Sequence, residues 1–137
     1  MALQYNDALR NAQLDAIETY GGTSCSLEIR SGTPPATCAT AGSGTVLATI
    51  NLPSDWMAAA ASASKAKAGT WTDASADNTG TAGHFRVYNS QATKDNTTCF
   101  MQGTVGTSAT DMIVDSVSFT AGQSFTISTF TISAGNA

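Results

Sequence analysis

The sequence predicts a mainly β protein, an antiparallel β-sandwich of jelly-roll-like arrangement, with one N-terminal α-helix. Seven or eight short stretches alternate apolar and polar residues with the period of two that marks a strand. Turn-forming Gly, Pro, Asn and Asp residues separate these stretches, as they do in sandwiches. The N-terminal stretch instead repeats apolar residues every three or four positions, which is the helical period. We therefore divide the chain into an N-terminal helix or extension, residues 1–22, and a single β-sandwich domain, residues 23–137.

The N-terminal helix is predicted to begin at a cap formed by Asn6 or Asp7 and to continue to about Tyr20, where Gly21 and Gly22 end it. One side of this helix carries its apolar residues, which are Tyr5, Leu9, Ala12, Ala16 and Tyr20. A helix of about 14 residues is only marginally stable alone, so this apolar stripe needs a cover. The stripe could lie on the sheet or dock on another subunit.

The first two predicted strands, residues 25–29 and 45–52, are joined by a long connection. Residues 31–44 contain two prolines, three glycines and no large apolar side chain, so this segment cannot bury itself. Long ordered connections in small domains are often functional. We expect these residues, called the 31–44 arm below, to reach a neighbouring molecule, although a surface loop would have the same composition.

The middle of the chain has a weaker pattern. Pro53 ends the second strand, because proline cannot donate to the ladder. Ser54 and Asp55 then precede a Trp-Met-Ala run as a helix cap would, and residues 58–63 are compatible with either a helix or irregular chain. A further strand is predicted around residues 67–72, where it carries Trp71.

Residues 83–106 predict a hairpin at the centre of the sheet, because they hold the densest mixture of aromatic, aliphatic and sulfur side chains. Phe85 and Val87 alternate with polar neighbours, so we expect one buried face on this strand. Residues 89–98 are polar or small and form the loop.

The last predicted strand spans residues 124–133. Phe125 and Ile127 share one face, whereas Phe130 and Ile132 share the other. This change of parity predicts either a β-bulge or a strand that crosses from one sheet to its partner.

Composition excludes several classes of function. Ala, Thr, Ser and Gly make up 71 of the 137 residues, and charged residues only 12%. The net charge is −4, and the six basic residues are scattered, so we expect no nucleic-acid partner and no membrane-surface patch. No signal-peptide core or membrane-length apolar run occurs, so we expect folding in a cytoplasm. In that compartment Cys25, Cys38 and Cys99 should be reduced thiols, with a Cys25–Cys38 disulfide as the alternative.

Reaction chemistry is not apparent, so we predict no enzyme, no cofactor and no metal site. His84 is the single histidine, and no GxSxG, HExxH or phosphate-binding glycine loop is present. Residues 73–80 alternate Asp and Ser like a calcium loop, but they lack its distal glutamate and read better as a turn.

Three segments are the least able to bury themselves: the N-terminal helix, the 31–44 arm and residues 58–69. A surface of small side chains allows close approach with little loss of side-chain entropy. We therefore predict a protein interface. Its candidate residues are Tyr5, Leu9, Ala12, Ala16, Tyr20, Pro34, Pro35, Trp56, Met57, Lys65 and Lys67.

Several strings of sequence resemble a family of small tailed-bacteriophage structural proteins. These strings are ALQYNDALRNAQLDAIE, LPSDWMAAAA, KAKAGTW, TAGHFRVY and TISAGNA. Some members of that family resemble the cement, or decoration, proteins that accompany an HK97-type major capsid protein. The resemblance implies a jelly-roll-like sandwich on the outer capsid surface, located in the virion and bound to the major capsid protein across capsomer boundaries. It also implies a homo-oligomer, a dimer or a trimer, on the shell.

Two other functions fit the sequence. The chain could be a head–neck or tail component of the virion, which copy number per particle would distinguish from cement. It could also be a carbohydrate-binding sandwich in which Trp56, Trp71 and Tyr88 stack on sugar rings.

Overall fold

The structure is a computed structural model that describes residues 2–135. Within them one helix precedes ten short strands. The helix, α1, spans Asp7–Gly21. The strands are β1 (Ser26–Ser31), β2 (Val46–Asn51), β3 (Ser64–Ala66), β4 (Trp71–Asp73), β5 (Gly80–Tyr88), β6 (Cys99–Gly106), β7 (Met112–Ile113), β8 (Ser118–Phe119), β9 (Phe125–Ile127) and β10 (Thr131–Ser133). The predicted class, mainly β with one N-terminal helix, is confirmed.

The strands form one larger sheet and two small ones. The larger sheet has the order β2-β1-β5-β6-β7, and β8 pairs with the other end of β5. β3 pairs with β10, and β4 pairs with β9. Pairing is antiparallel except between β6 and β7. Residues 107–111 loop back so that Met112 lies beside Val105 and Ile113 beside Gly106, and β7 therefore runs parallel to β6. The β5–β6 hairpin lies inside the sheet, as the sequence predicts. β1 pairs with the edge of β5 that β6 does not occupy.

The predicted limits of α1 are confirmed. Asn6 is the N-cap, and its side-chain oxygen accepts a hydrogen bond from the Leu9 backbone N–H at 2.9 Å. Gly22 ends the helix with φ +77°, a conformation that glycine adopts without strain, and its N–H bonds to the Glu18 carbonyl. Gly21 is buried at this end, and a Cβ there would meet the Trp56 ring at 2.8 Å. The absence of a side chain at Gly21 therefore allows α1 to approach the core.

The core lies between one face of the larger sheet and the small sheets. Leu27, Ile29 and Val87 come from the sheet, and they are fully buried. Aromatic rings fill the space opposite: Phe85 and Phe130 meet edge-on at 5.5 Å, and Trp71 lies 5.8 Å from Phe130. Edge-to-face and tilted ring pairs at such distances add stability beyond the burial of area.

Two ambiguous segments are resolved by pairing with distant partners. The predicted strand 124–133 is two strands, since β9 joins β4 and β10 joins β3. The change of parity in the sequence marks the point where the chain leaves one sheet for another. Residues 58–63 form no helix but lead into a two-residue turn, in which Ser62 and Ala63 have φ of 51° and 57°. Ala61 and Ser64 exchange backbone hydrogen bonds across this turn.

Lys65 connects the small sheets to α1. Its side chain is 1% exposed, and its ammonium group contacts Asp15 at 2.7 Å, Glu18 at 2.9 Å and the Ala58 carbonyl at 2.8 Å. All three N–H donors of the ammonium are therefore used. Burial alone would lower the pKa of Lys65, but its bonds to Asp15 and Glu18 outweigh that effect and raise the pKa. Lys65 accordingly stays charged, and α1 supplies both of its counterions.

We expect Lys65→Ala to lower the free energy of unfolding by about 2 kcal/mol or more, because it removes a satisfied buried charge and the packing of its stem. Lys67→Ala is the matched control. Lys67 is half-buried, with its ammonium 5.6 Å from the Trp71 ring centroid. Its loss should cost less than about 1 kcal/mol. Urea unfolding of the two variants measures both values, and equal losses would contradict this role of Lys65.

Candidate functional site

The apolar stripe of α1 faces outward and is not covered by the sheet. Leu9 is 46% exposed and Tyr20 is 68% exposed, while Ala12 and Ala16 between them are exposed as well. We call Leu9, Ala12, Ala16 and Tyr20 the outer face of α1. Tyr5, the fifth stripe residue, is 38% exposed at the beginning of the helix. The structure therefore does not bury this stripe against the sheet, and its docking on another subunit stays a prediction.

The opposite side of α1 binds the rest of the protein mainly through polar groups. Arg10 donates to the Ala134 carbonyl at 2.8 Å, and Asn11 accepts from the Ala63 N–H at 2.8 Å. Asp15 accepts from the Ala60 N–H at 3.0 Å as well as from Lys65. The pKa of Asp15 is lowered, first by its bond to Lys65 and then by the Ala60 N–H. Leu14 is buried on this side too, and Ile17 packs against the core. The polar bonds and these two side chains together fix the rotation of the helix and leave Leu9, Ala12, Ala16 and Tyr20 outside.

A groove continues the outer face of α1 onto β6. It has a volume of about 550 Å³. We call it the helix groove, and its lining residues are Gln13, Ala16, Ile17, Tyr20, Cys99, Phe100 and Met101. Phe100 forms its floor, with its ring 5.7 Å from Tyr20 and 6.1 Å from Trp56. Ile17, Phe100 and Met101 were not among the predicted interface residues. Phe100 directly follows Cys99, and side chains alternate along a strand. The sequence therefore indicates only that Phe100 and Cys99 point to opposite faces, and it does not show that α1 lies beside Phe100.

Three predicted interface residues lie in the core instead. Trp56 is 0% exposed, Met57 1% and Lys65 1%. Within residues 58–69, which were predicted not to bury themselves, Ala63 and Lys65 are buried and half of the residues remain exposed. β3 pairs with β10, and α1 covers the turn before it, so this segment is packed from two directions. Lys67 is half-buried and donates to the Gly69 carbonyl at 2.7 Å.

The aromatic residues considered as sugar-stacking platforms are buried too. Trp71 is 0% exposed and Tyr88 is 1% exposed, as Trp56 is. Each also directs its polar atom inward: the Trp71 indole donates to the Ala68 carbonyl at 3.0 Å, and the Tyr88 hydroxyl donates to Glu28 at 2.8 Å. A ring whose faces are enclosed by protein has none to offer a pyranose.

The 31–44 arm lies on the second face of the larger sheet, and that face is polar. Arg86 on β5 donates through Nη2 to the Cys38 carbonyl at 2.6 Å and to the Thr40 carbonyl at 3.0 Å. Gln102 on β6 donates to the Pro35 carbonyl at 2.6 Å. Pro34 and Pro35, both predicted to reach a partner, are half-buried against the sheet of their own chain. Most residues of the arm remain exposed, but side chains of β5 and β6 hold its backbone carbonyl groups against the sheet.

Further contacts bring the two ends of the arm onto the same face. His84 Nδ1 lies 2.9 Å from the Gly32 carbonyl, and Arg30 donates to the Ser43 carbonyl at 3.1 Å. A Cβ at Gly83 would collide with that Gly32 carbonyl, so glycine at this position allows the close approach. The strand β5 is thus buried on both faces, whereas the alternation in its sequence predicted burial of one. A signal was present in the sequence, because Arg86 in a central strand requires a buried partner.

This polar face carries a connected set of charges. Glu28 accepts from Arg30 at 2.8 Å and from the Tyr88 hydroxyl at 2.8 Å. Burial and the bond to Glu28 together raise the pKa of Tyr88, which therefore stays a neutral donor. Three buried atoms on the same face have no hydrogen-bond partner within residues 2–135, namely His84 Nε2, Arg86 Nη1 and Gln102 Oε1. Polar atoms left in this state reduce stability, so this face is held together at some energetic cost.

Residues 73–80, which resemble a calcium loop in sequence, form a hydrogen-bonded turn. Asp73 accepts from the Thr49 and Ser75 N–H groups at 3.0 and 2.9 Å, and Asp77 accepts from the Thr49 hydroxyl at 2.7 Å. These bonds make residues 73–80 a turn against β2. In the described part of the chain no three His, Cys, Asp or Glu side chains are grouped to hold a metal ion. Nor does a helix within residues 2–135 combine the length and hydropathy needed to cross a membrane.

We expect the protein to lose stability between pH 7.5 and 5.5 because of His84. Burial, and after it the nearby Arg30 and Arg86, lower the pKa of His84 below its ordinary value of 6.5. As the pH falls below 6.5 the unfolded chain takes up a proton that the folded protein rejects, so the folded state becomes relatively less stable. The loss is complete once the pH passes below the folded value.

The matched variant is His84→Gln, which keeps a donor for the Gly32 carbonyl but does not titrate. Its free energy of unfolding, measured in urea across the same pH range, should fall less steeply than that of the natural protein. Identical slopes for the two proteins would show that His84 does not carry this dependence.

No protein-family model, no curated protein and no solved structure matches this chain. The helix groove and the 31–44 arm therefore inherit no role from a relative, and a role for them has to come from their exposed side chains and their contacts.

Proposed function

We propose that this chain is a non-enzymatic virion structural protein, a capsid cement or decoration protein of a tailed phage. In this proposal it binds the outer surface of a shell of HK97-type major capsid protein, bridges capsomers and stabilises the head. The observation that carries the proposal is the outer face of α1 with the adjoining helix groove. The resemblance of the sequence to phage structural proteins supplies the kind of partner.

The outer face of α1 has the chemistry of a protein-binding surface. Leu9 and Tyr20 are large apolar side chains that remain 46% and 68% exposed, and Phe100 lies beside them in the groove. Aromatic residues with a polar tip, such as Tyr20, are enriched in the centres of interfaces. Ala12 and Ala16 lie between Leu9 and Tyr20, and their small side chains allow a partner helix or strand to approach the backbone of α1. No Asp, Glu, Lys or Arg belongs to the face or the groove lining, so a partner has no unpaired charge to desolvate.

The remainder of the protein suits attachment to a shell. The polar bonds of Arg10, Asn11 and Asp15 hold α1 rigidly, so little conformational entropy is lost when its outer face is covered. A weak contact of this size becomes effective when many copies bind one particle and each bridges two subunits. We further propose that the protein is a dimer or trimer on the shell and that it acts in the virion.

The finer description of the fold belongs to the same proposal. We propose that the larger sheet and the two small sheets pack face to face as a jelly-roll-like β-sandwich. Support comes from the contact of Phe85 on β5 with Phe130 between β9 and β10, and from the division of the last strand between two sheets. Sandwiches are built from strands that leave one sheet for the other at such corners.

The test is co-sedimentation of the purified protein with expanded shells of the source phage's major capsid protein. Leu9→Glu and Tyr20→Glu should each reduce affinity at least tenfold, because each replaces buried apolar area with a desolvated charge. Ile113→Glu is the matched control, since Ile113 is 49% exposed on β7 and outside the outer face. Its affinity should change less than about twofold.

Point substitutions are preferable to removal of the helix. Deletion of residues 1–20 would take both counterions from Lys65 and could therefore damage the β-fold itself. Circular dichroism and thermal unfolding should show that all three glutamate variants fold as the natural protein does.

Equal binding by Leu9→Glu and the natural protein would refute the outer face as the binding surface. Failure of the natural protein to sediment with shells would refute the capsid assignment. Densitometry of the virion then separates a cement protein, present in many copies over the shell, from a neck or tail component limited to one ring.

A further inference from the structure

Cys38 on the 31–44 arm and Cys99 on β6 are brought together by Arg86. Arg86 donates through Nε to Cys99 Sγ at 3.2 Å and through Nη2 to the Cys38 carbonyl at 2.6 Å. These two nitrogens are attached to the same carbon of a rigid planar guanidinium, so the two cysteines lie within the width of that group. The Cys99 thiol is also one of the groups that raise the pKa of Cys38, which places the two side chains within interaction range of each other.

The third cysteine lies elsewhere. Cys25 is fully buried at the end of α1, where its sulfur donates to the Gly22 carbonyl and lies close to Gly21. It is on the side of the sheet that carries Leu27 and Trp56, whereas Cys38 is on the polar side under Arg86. The disulfide considered from the sequence, Cys25–Cys38, would have to pass through the sheet. All three cysteines are free in the structure.

We propose that Cys38 and Cys99 are a dithiol site that a small-molecule disulfide, such as oxidised glutathione, converts to an internal disulfide. Cys38 is the half-exposed member, so its thiolate attacks the small disulfide first. One new S–S bond forms at Cys38, and one small thiol leaves. Cys99 then loses its proton to solvent and attacks Cys38 Sγ, and the second small thiol leaves. The protein loses two hydrogens and two electrons, which the reagent gains as two thiols.

The consequence is a covalent bond between the arm and the sheet. In the reduced protein the arm is held by hydrogen bonds from Arg86, Gln102 and Arg30 to its carbonyl groups, and these bonds can open one at a time. The disulfide would join residue 38 directly to residue 99 across a long loop of chain, which restricts the unfolded state. Reduction in a cytoplasm and oxidation outside it would then set how firmly the arm is attached. This inference does not depend on which partner the outer face of α1 binds.

The rate of the first step should increase with pH. Burial, and after it Cys99, raise the pKa of the Cys38 thiol above its ordinary value of 9.0, although Arg86 acts in the opposite direction. Burial raises the pKa of Cys25 to about 11, and Cys25 is 0% exposed whereas Cys38 is half-exposed, so Cys25 should react more slowly because the reagent cannot reach it.

The experiment treats the reduced, folded, full-length protein with oxidised glutathione, blocks the remaining thiols with a maleimide and digests the denatured product with trypsin. The positions of Lys and Arg place the three cysteines in three peptides, residues 11–30, 31–65 and 95–137. Peptides 31–65 and 95–137 should be recovered cross-linked, and dithiothreitol should separate them. The oxidised protein should unfold about 5 °C higher, or more, than the reduced protein.

Variants assign the steps. Cys25→Ser should form the cross-link as the natural protein does. Cys99→Ser should stop at one glutathione adduct on Cys38, and Cys38→Ser should remain a thiol at Cys99. Cys99→Ser also removes a hydrogen-bond acceptor from Arg86 and could unfold for that reason. If it does, the cross-link in the natural protein and in Cys25→Ser still tests the proposal.

The proposal is overturned if the folded protein retains free thiols, if it collects only glutathione adducts, or if the cross-link includes peptide 11–30. It is also overturned if the cross-link forms only in denaturant, since the folded arrangement would then play no part.

Discussion

Burial of both faces of β5 determines how the rest of this protein is arranged. One face carries Phe85 and Val87 into the aromatic core. The other carries His84 and Arg86, which are 0% exposed and need partners. A buried guanidinium cannot lose its proton, so the fold has to bring acceptors to it. The carbonyl groups of the 31–44 arm are those acceptors, and their bonds to Arg86 hold the arm against the sheet.

The same principle operates at the other side of the molecule. Lys65 is a buried cation on a short strand, and α1 brings Asp15 and Glu18 to it. Satisfaction of Lys65 thereby decides how the helix is rotated. In that rotation Leu14 faces the domain and is buried, whereas Leu9 and Tyr20 lie on the outside and remain exposed. The surface available to a partner is in this sense a consequence of charge burial within the domain.

Two surface features of different chemistry are thus combined in one small chain: the outer face of α1 and the 31–44 arm. The outer face of α1 is apolar, and in the proposed function its contribution to binding would come from removal of Leu9, Tyr20 and Phe100 from water. The arm is polar and is held through its backbone carbonyl groups. One cysteine of the proposed thiol pair lies on the arm, and the other lies on β6.

The sequence by itself determined the local features of this protein. Asn6 and Gly22 set the ends of α1, alternation located β1, β2, β5 and β6, and the change of parity between Ile127 and Phe130 marked the break between β9 and β10. These signals depend on residues that are close together in the sequence, so they can be recognised without knowledge of the fold.

Tertiary structure decided which surfaces were covered. Trp56, Met57 and Lys65 were predicted at an interface and lie in the core, while Phe100 was overlooked and lies in the helix groove. Important partners of these residues are far away in the chain: Trp56 bonds to the Gly22 carbonyl and Lys65 to Asp15, separations of 34 and 50 residues. Composition can show that a segment is unable to bury itself, but only the folded chain shows what buries it, because long-range polar bonds leave no periodic trace in the sequence.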